Sequence, residues 1–112
     1  LEALRRGGVA TVEIKSGYGL TPGDEEKMLI AAGEAARAAT MRVKRTLLAL
    51  HALPPEHEAE RAAYVRLVCE RMIPGVAAAG LADAVDAFCE TIGFTLEETR
   101  AVFDAAAKHG LR

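Results

Sequence analysis

The sequence predicts an α/β fold in which three parallel strands alternate with helices. Short segments rich in Val, Ile, Thr and Leu alternate with longer segments whose apolar residues recur at helical spacing. Helix-capping residues and Gly or Pro separate these segments. Because strands and helices alternate along the chain, we expect the strands to be parallel and joined by right-handed crossovers.

The length of the chain allows at most one domain. Its 112 residues are 51% hydrophobic and 27% charged, which is ordinary for a globular protein. The first residues read as the last turns of a helix that ends at Gly7 and Gly8. The last residues follow another glycine cap, Gly110, where a strand should come next. We therefore expect residues 1–112 to be a single partial domain cut from a longer chain.

Charge and hydropathy argue against two classes of partner. The net charge of −2 and the pI near 5.9 disfavour nucleic acid and anionic membranes. No stretch reaches the ~18 consecutive apolar residues of a membrane span, and no signal peptide is recognisable. Cys69 and Cys89 form no CxxC motif. Both are predicted to be small buried side chains in a reducing compartment, which indicates the cytoplasm.

The first βα unit joins a strand, a glycine-flanked loop and a helix. The strand is predicted over residues 9–15, and the loop follows it directly. Thr21 is a candidate N-cap, and Pro22 opens a helix that runs to about Ala38. Three acids in its first turn suit the positive end of the helix dipole: Asp24, Glu25 and Glu26.

The second and third units repeat this order. Their predicted elements are a strand over 42–51, a helix over 56–72, a shorter helical piece from Pro74 to Gly80, a strand over 84–89 and a final helix ending at Gly110. Pro74 is expected to stop the longer helix and to start the shorter one. Thr95 and Glu98 have the spacing of a capping box, which predicts where the final helix begins.

Charges at alternate strand positions favour a barrel over an open sheet. In the first strand, Glu13 and Lys15 share one face, while Val12 and Ile14 share the other. Unpaired charges are costly to bury. In a (β/α)8 TIM barrel, apolar residues face the outer helices, and polar residues near the carboxyl ends of the strands line the mouth where substrate binds. We therefore predict three consecutive βα units of a barrel whose full length is ~250 residues.

Lys15, at the end of the first strand, has two interpretations. It is placed to act as an electrostatic clamp on substrate or as a metal-bridging carbamate. Alternatively, it forms an ion pair inside the barrel with Glu13, Asp86 or Glu90. The ion pair is the favoured interpretation, so Lys15 is kept as a secondary candidate.

Tyr18 and His51 are the other candidates. Tyr18 lies between two glycines, where its hydroxyl can donate to a substrate carboxylate or carbonyl, or where its ring can pack under a tight turn. His51 closes the second strand, as a general acid, an electrophile, a metal ligand or a structural histidine. His57 and His109 suit surface roles. No HxH, HExxH, phosphate-loop or GxSxG motif is present.

Three stretches of the sequence resemble one enzyme family. Residues 12–20, VEIKSGYGL, look like the VEIKSGYGL stretch of imidazolonepropionases, the third enzyme of histidine degradation. Residues 46–56, TLLALHALPPE, are similar to that family's TFLGAHAVPPE. Residues 81–90, LADAVDAFCE, resemble its LADAVDVFCE. The local departures are Ala49 and Leu50 in place of Gly-Ala, and Arg45 where a small polar residue is usual. Leu50 is expected to point toward the helices.

The resemblance implies an amidohydrolase-superfamily barrel that cleaves the ring C–N bond of 4-imidazolone-5-propanoate with water, giving N-formimidoyl-L-glutamate. In this family a zinc or iron ion activates the water. The family's pattern assigns substrate contacts to Tyr18 and His51, with the imidazole donating to the ring carbonyl in an oxyanion-type role. A cytoplasmic enzyme with a small-molecule substrate is implied, with a homodimer as the candidate assembly of the full-length form.

The family's metal ligands and catalytic glutamate have no counterpart in this sequence. We therefore expect no metal ligand and no catalytic residue within the chain, and no hydrolysis by the isolated 112 residues. Marginal folding is also expected, because a partial barrel leaves strand edges unpaired. Two alternatives remain open: a truncated, non-catalytic α/β module, and a different amidohydrolase acting on cyclic amides or as a deaminase.

Overall fold

Three parallel strands flanked by helices make up the fold in the computed structural model, which describes all 112 residues. The strands lie in sequence order, with the second in the middle. The elements are α1 (Glu2–Arg6), β1 (Thr11–Lys15), α2 (Pro22–Ala38), β2 (Arg42–Leu50), a 3-10 turn (Pro55–His57), α3 (Arg61–Leu67), a π turn (Val68–Met72), α4 (Ile73–Ala78), β3 (Ala84–Ala87) and α5 (Leu96–Lys108). The predicted α/β order and the parallel pairing are confirmed.

The register of the sheet changes once, near the carboxyl end of β2. Strands β1 and β2 pair without interruption from Thr11 opposite Arg42 to Lys15 opposite Thr46. Between β2 and β3, Leu47 lies opposite Val85, whereas the next pair is Leu50 opposite Ala87. One extra residue of β2 is therefore accommodated in a bulge. Leu50 is fully buried in the main core beside the helix side chains, as expected for a side chain that points toward the helices.

The core lies where the sheet meets the helices. Its buried members are Leu29, Leu47, Ala49, Leu50, Tyr64, Val68, Met72, Ile73, Val76, Val85, Phe94, Val102 and Ala106. The opposite face of β1 is exposed at Glu13 and Lys15, so the alternation predicted for this strand is confirmed. Tyr64 is the largest fully buried side chain, and its hydroxyl donates to the carbonyl oxygen of Ala49 at 2.7 Å. Burial, and then the charge of Glu25, raise the pKa of this hydroxyl.

Replacing Tyr64 by phenylalanine should destabilise the protein by about 1–2 kcal/mol, because the buried carbonyl of Ala49 loses its hydroxyl donor. Urea denaturation measures the free energy of unfolding. Tyr18→Phe is the matched control, since the same hydroxyl is removed from a side chain that is 79% exposed. Equal losses of stability in the two variants would contradict the role given to this hydrogen bond.

The helix predicted over 56–72 begins later than expected, at Arg61. The two prolines are followed by a 3-10 turn in which His57 donates its N–H to the carbonyl of Pro54 at 2.9 Å. The N–H of Glu60 then bonds to the carbonyl of His57, again at 2.9 Å. These short-range bonds delay the first α-helical turn, so the prediction was wrong over residues 56–60.

Pro74 does not stop the helix, contrary to expectation. Helix α3 continues through the π turn Val68–Met72 directly into α4, where Pro74 is the second residue. A proline has no N–H to donate, and its ring collides with the carbonyl four residues earlier in an ordinary α-helix. The wider π turn immediately before it relieves both problems. The proline therefore marks a change of helical type and not an end.

The third strand is shorter than predicted, because it ends at Ala87 and not at Cys89. The N–H of Ala87 bonds to the side chain of Asp86 at 2.8 Å, and beyond it Cys89 makes only an isolated bridge to Phe94. Cys89 is consequently exposed, and Cys69 is half-buried. The prediction that both cysteines are buried was wrong. Partial burial nevertheless raises the pKa of the Cys69 thiol.

Candidate functional site

The candidate site lies at the carboxyl edge of β1 and β2. The loop that follows β1, residues 16–20, is fastened to β2 by its first residue. Ser16 is buried, its N–H donates to the carbonyl of Thr46 at 3.0 Å, and its hydroxyl accepts from the N–H of Leu48 at 3.3 Å. The pairing of the strands therefore continues one residue into the loop and brings it beside the end of β2.

Tyr18 and His51 are brought together at this edge. Their ring centroids are 4.8 Å apart and the planes meet at 79°, an edge-to-face arrangement. Tyr18 is 79% exposed, so in this structure it is not an aromatic packed under a tight turn. Its hydroxyl is left free to meet a ligand. Two residues that are 33 positions apart in the sequence thus form one rim.

One nitrogen of the His51 ring already has a hydrogen-bond partner within the protein. Its Nδ1 lies 2.9 Å from the carbonyl oxygen of Gly17. Because a carbonyl oxygen only accepts, Nδ1 must carry the proton and donate it. In the neutral imidazole Nε2 is then an acceptor, whereas in the imidazolium Nε2 is a donor. A hydrogen bond donated by His51 to a substrate oxygen therefore requires the imidazolium form.

Two glycines let the loop lie this close to its neighbours. A Cβ on Gly17 would stand 2.7 Å from the carbonyl oxygen of Leu48 and 3.1 Å from the Cβ of His51. The φ of Gly17 is also +117°, which side chains rarely tolerate. A Cβ on Gly19 would stand 2.6 Å from the Cβ of Asp24. The glycines on either side of Tyr18 are therefore required for close contact with β2 and with the start of α2.

Glu25 anchors the same loop from beneath. This side chain is fully buried, and its two carboxylate oxygens accept three backbone N–H groups. Oε2 accepts from Gly17 at 2.8 Å, while Oε1 accepts from Gly19 at 2.9 Å and from Leu20 at 2.8 Å. The sequence had placed Glu25 only among the acids of the first helical turn. The sequence does contain a feature that points to Glu25, because a glycine-flanked loop next to a helix start leaves backbone N–H groups that need an acceptor.

Lys15 forms an ion pair with Asp86 and not with Glu90. Its Nζ is 2.5 Å from Oδ2 of Asp86 and 3.7 Å from Oε2 of Glu13. The hydrogen bond to Asp86 raises the pKa of Lys15, against a smaller opposing effect of burial. Burial opposes the shift at Asp86 too, but the bonds from Lys15 and from the N–H of Ala87 lower the pKa of that carboxyl. The pair links the outer strands across β2.

The remaining histidines lie on other elements. His57 is half-buried in the 3-10 turn, with its ring centroid 5.4 Å from that of Tyr64, and it lines a cavity together with Gly19 and Leu20 of the loop after β1. It is therefore not the solvated surface side chain that the sequence predicts. His109 is exposed at the end of α5. No group of three or more His, Cys, Asp or Glu side chains is placed to hold a metal ion. The zinc or iron implied by the resemblance therefore has no ligand set among these residues.

None of the helices combines the length and the apolar character needed to cross a membrane.

Comparison with known proteins gives one family name repeatedly, although no protein-family model matches the chain. An imidazolonepropionase from Rhizorhabdus wittichii is 57% identical over 111 residues, which are 99% of this chain. One from Aliivibrio salmonicida is 56% identical over 99% of the chain. One from Chromobacterium violaceum is 54% identical over all 112 residues.

The matched part is a minority of each relative. The chain spans 28% of the Rhizorhabdus wittichii protein and 27% of the other two. The alignment nevertheless extends over essentially every residue of this chain, and more than half of the aligned residues are identical. The resemblance to imidazolonepropionases is thus confirmed along the whole chain, which corresponds to just over a quarter of the length of these enzymes.

Proposed function

We propose that this chain forms part of the substrate-binding wall of an imidazolonepropionase, the hydrolase that opens 4-imidazolone-5-propanoate to N-formimidoyl-L-glutamate in histidine degradation. The observation that carries the proposal is the pairing of Tyr18 with His51, with centroids 4.8 Å apart at the carboxyl edge of parallel strands. This edge is where α/β barrels bind substrate. Both residues also lie in the stretches that resemble the family.

The two side chains divide the binding work. The exposed hydroxyl of Tyr18 donates to a carboxylate or carbonyl of the substrate. His51, with Nδ1 held by Gly17, presents Nε2 to the imidazolone. As the imidazolium, it donates to the ring oxygen while negative charge develops there, which stabilises the transition state more than the ground state.

The remainder of the active site is assigned to other parts of the full-length enzyme. The three βα units are proposed to be consecutive members of a (β/α)8 barrel whose other strands complete the sheet. The zinc or iron ion does not fit any ligand set in this chain, so we derive no step through it. A cytoplasmic, homodimeric full-length enzyme is part of the same proposal, as is the inactivity of the isolated 112 residues.

Tyr18→Phe in the full-length enzyme should raise the KM for 4-imidazolone-5-propanoate by about tenfold, the effect of one hydrogen bond to a charged or polarised group. The metal content and the urea denaturation midpoint should stay at wild-type values, because Tyr18 is 79% exposed and belongs to neither the core nor the proposed metal ligands. Steady-state kinetics together with metal analysis make the test. Wild-type kinetics in this variant would remove Tyr18 from the binding site, and a wild-type enzyme without this hydrolase activity would refute the proposed function.

A further inference from the structure

We infer that Glu25 is a positioning residue that sets the substrate affinity of the site by holding Tyr18 and His51 in place together. The inference rests on the proposed function and adds to it a buried side chain that acts through its neighbours. Nothing in the family resemblance of the three stretches singles out this residue, because Glu25 lies outside all of them.

Glu25 is a charged side chain that is fully buried. Among the buried polar side chains, which are Ser16, Glu25, Thr46 and Thr99, it is the only one that carries a charge. Taking a carboxylate out of water is costly unless hydrogen bonds compensate. Here they do, because three N–H groups converge on its two oxygens at 2.8–2.9 Å. Such charge-assisted bonds are stronger than neutral ones. A strong, fully satisfied anchor therefore lies under the loop that carries the exposed side chain of Tyr18.

The N–H groups that Glu25 accepts come from the backbone on both sides of Tyr18. The N–H groups of Gly17 and Gly19 belong to the residues on either side of Tyr18. Glu25 therefore fixes the backbone that carries the phenol from both directions. Gly17 has a further role, since its carbonyl oxygen accepts the hydrogen bond from Nδ1 of His51 at 2.9 Å. The same glycine thus connects the carboxylate to the imidazole, and one anchor orients both substrate-binding residues.

The chemistry of the anchor makes the inference specific. A carboxylate offers two oxygens that only accept, which matches three donors. Glutamine has nearly the same shape, but one oxygen is replaced by an NH2 group that only donates. In Glu25→Gln, either Gly17 or the pair of Gly19 and Leu20 faces a donor and loses its partner. The loop should then move while the core, which contains neither Gly17 nor Gly19, keeps its packing.

The kinetic test uses the full-length enzyme. Glu25→Gln should raise KM for 4-imidazolone-5-propanoate by about tenfold or more, the effect of losing hydrogen bonds to a charged group, with the metal content unchanged. Glu34→Gln is the matched control, because it makes the same change on the exposed side of the same helix. In a Tyr18→Phe background, Glu25→Gln should raise KM by a smaller factor than in the wild type, since part of its effect passes through Tyr18. An unchanged KM, or an equal factor in both backgrounds, would overturn the inference.

Amide hydrogen exchange tests the role of Glu25 without measuring enzyme activity. In the wild type, the N–H groups of Gly17, Gly19 and Leu20 should exchange slowly because Glu25 holds them in the interior. They should exchange at least tenfold faster in Glu25→Gln and at the wild-type rate in Glu34→Gln. Fast exchange in the wild type would overturn the inference without any variant. If the wild-type enzyme lacked the hydrolase activity, the proposed function would fail while these exchange rates still decided the role of Glu25.

Discussion

His51→Ala should lower kcat of the full-length enzyme by about 10²- to 10³-fold, the range seen when one donor to a developing oxyanion is removed. The structure gives the reason. Nδ1 donates to the carbonyl oxygen of Gly17 at 2.9 Å, so the ring is held in one orientation and Nε2 is the nitrogen left for the substrate contact that we propose. Alanine removes the donor and leaves the loop carbonyl of Gly17 without its partner. The effect falls on kcat because the charge that His51 meets is largest in the transition state.

The matched control for this variant is His109→Ala. His109 is exposed at the end of α5 and belongs to no part of the candidate site, so its removal should leave kcat unchanged. Metal content is measured in parallel and should be the same in both variants. A His51→Ala enzyme that keeps the wild-type kcat would assign His51 to structure alone.

Gly17→Ala is expected to destabilise the full-length enzyme by about 3 kcal/mol or more, the combined magnitude of backbone strain and local overpacking. Its φ of +117° is one source of strain. The second is steric, because the new Cβ would stand 2.7 Å from the carbonyl oxygen of Leu48 and 3.1 Å from the Cβ of His51. The loop can relieve these contacts only by moving away from β2, which also breaks the bond to Nδ1 of His51. Activity should therefore fall together with stability.

The chain offers a second glycine for comparison. Gly23 lies in the first turn of α2, and a Cβ added there meets nothing within 4 Å. Gly23→Ala should leave activity unchanged and should stabilise the enzyme by up to about 1 kcal/mol, since alanine favours a helix over glycine. Urea denaturation and kcat/KM are measured for both variants. Similar effects at the two positions would contradict the steric account of the loop.

The parts of the fold that depend on local chemistry could be predicted from the sequence. The Thr21 cap accepts the N–H of Asp24, and Thr95 with Glu98 forms the expected capping box. These signals are short-range, because a cap is defined by side chains within one turn of the helix. The alternation of charges along β1 likewise follows from the two-residue period of a strand.

The errors arose where neighbouring segments decide the local structure. Pro74 was expected to end a helix, but a π turn directly before it lets the helix continue, and no sequence pattern predicts that turn. Cys89 was expected to be buried in a strand, but the strand ends at Ala87, and beyond it Phe88 still donates to the carbonyl of Leu50 while Cys89 makes only an isolated bridge to Phe94. In both cases the path of the backbone, and not hydrophobic periodicity, decides the local structure.

The candidate site also combines residues that local sequence patterns identify with one that depends on the folded backbone. Tyr18 and His51 were identified from the sequence because each follows a strand within a recognisable stretch. Glu25 was not, because an acid in a first helical turn is common and usually faces solvent. Its convergence with the N–H groups of residues 17, 19 and 20 exists only once the loop has folded back over α2. Sequence reasoning therefore finds candidate side chains at strand ends more readily than the buried side chain that holds their loop.

The central claim is that Tyr18 and His51 bind the substrate of an imidazolonepropionase. A crystal structure of the full-length enzyme with bound N-formimidoyl-L-glutamate tests it most directly. We expect the hydroxyl of Tyr18 and Nε2 of His51 to lie within hydrogen-bond distance of the ligand, roughly 2.6–3.2 Å, while Nδ1 of His51 remains on the carbonyl oxygen of Gly17. A ligand bound at the active site with both side chains out of contact would contradict the claim.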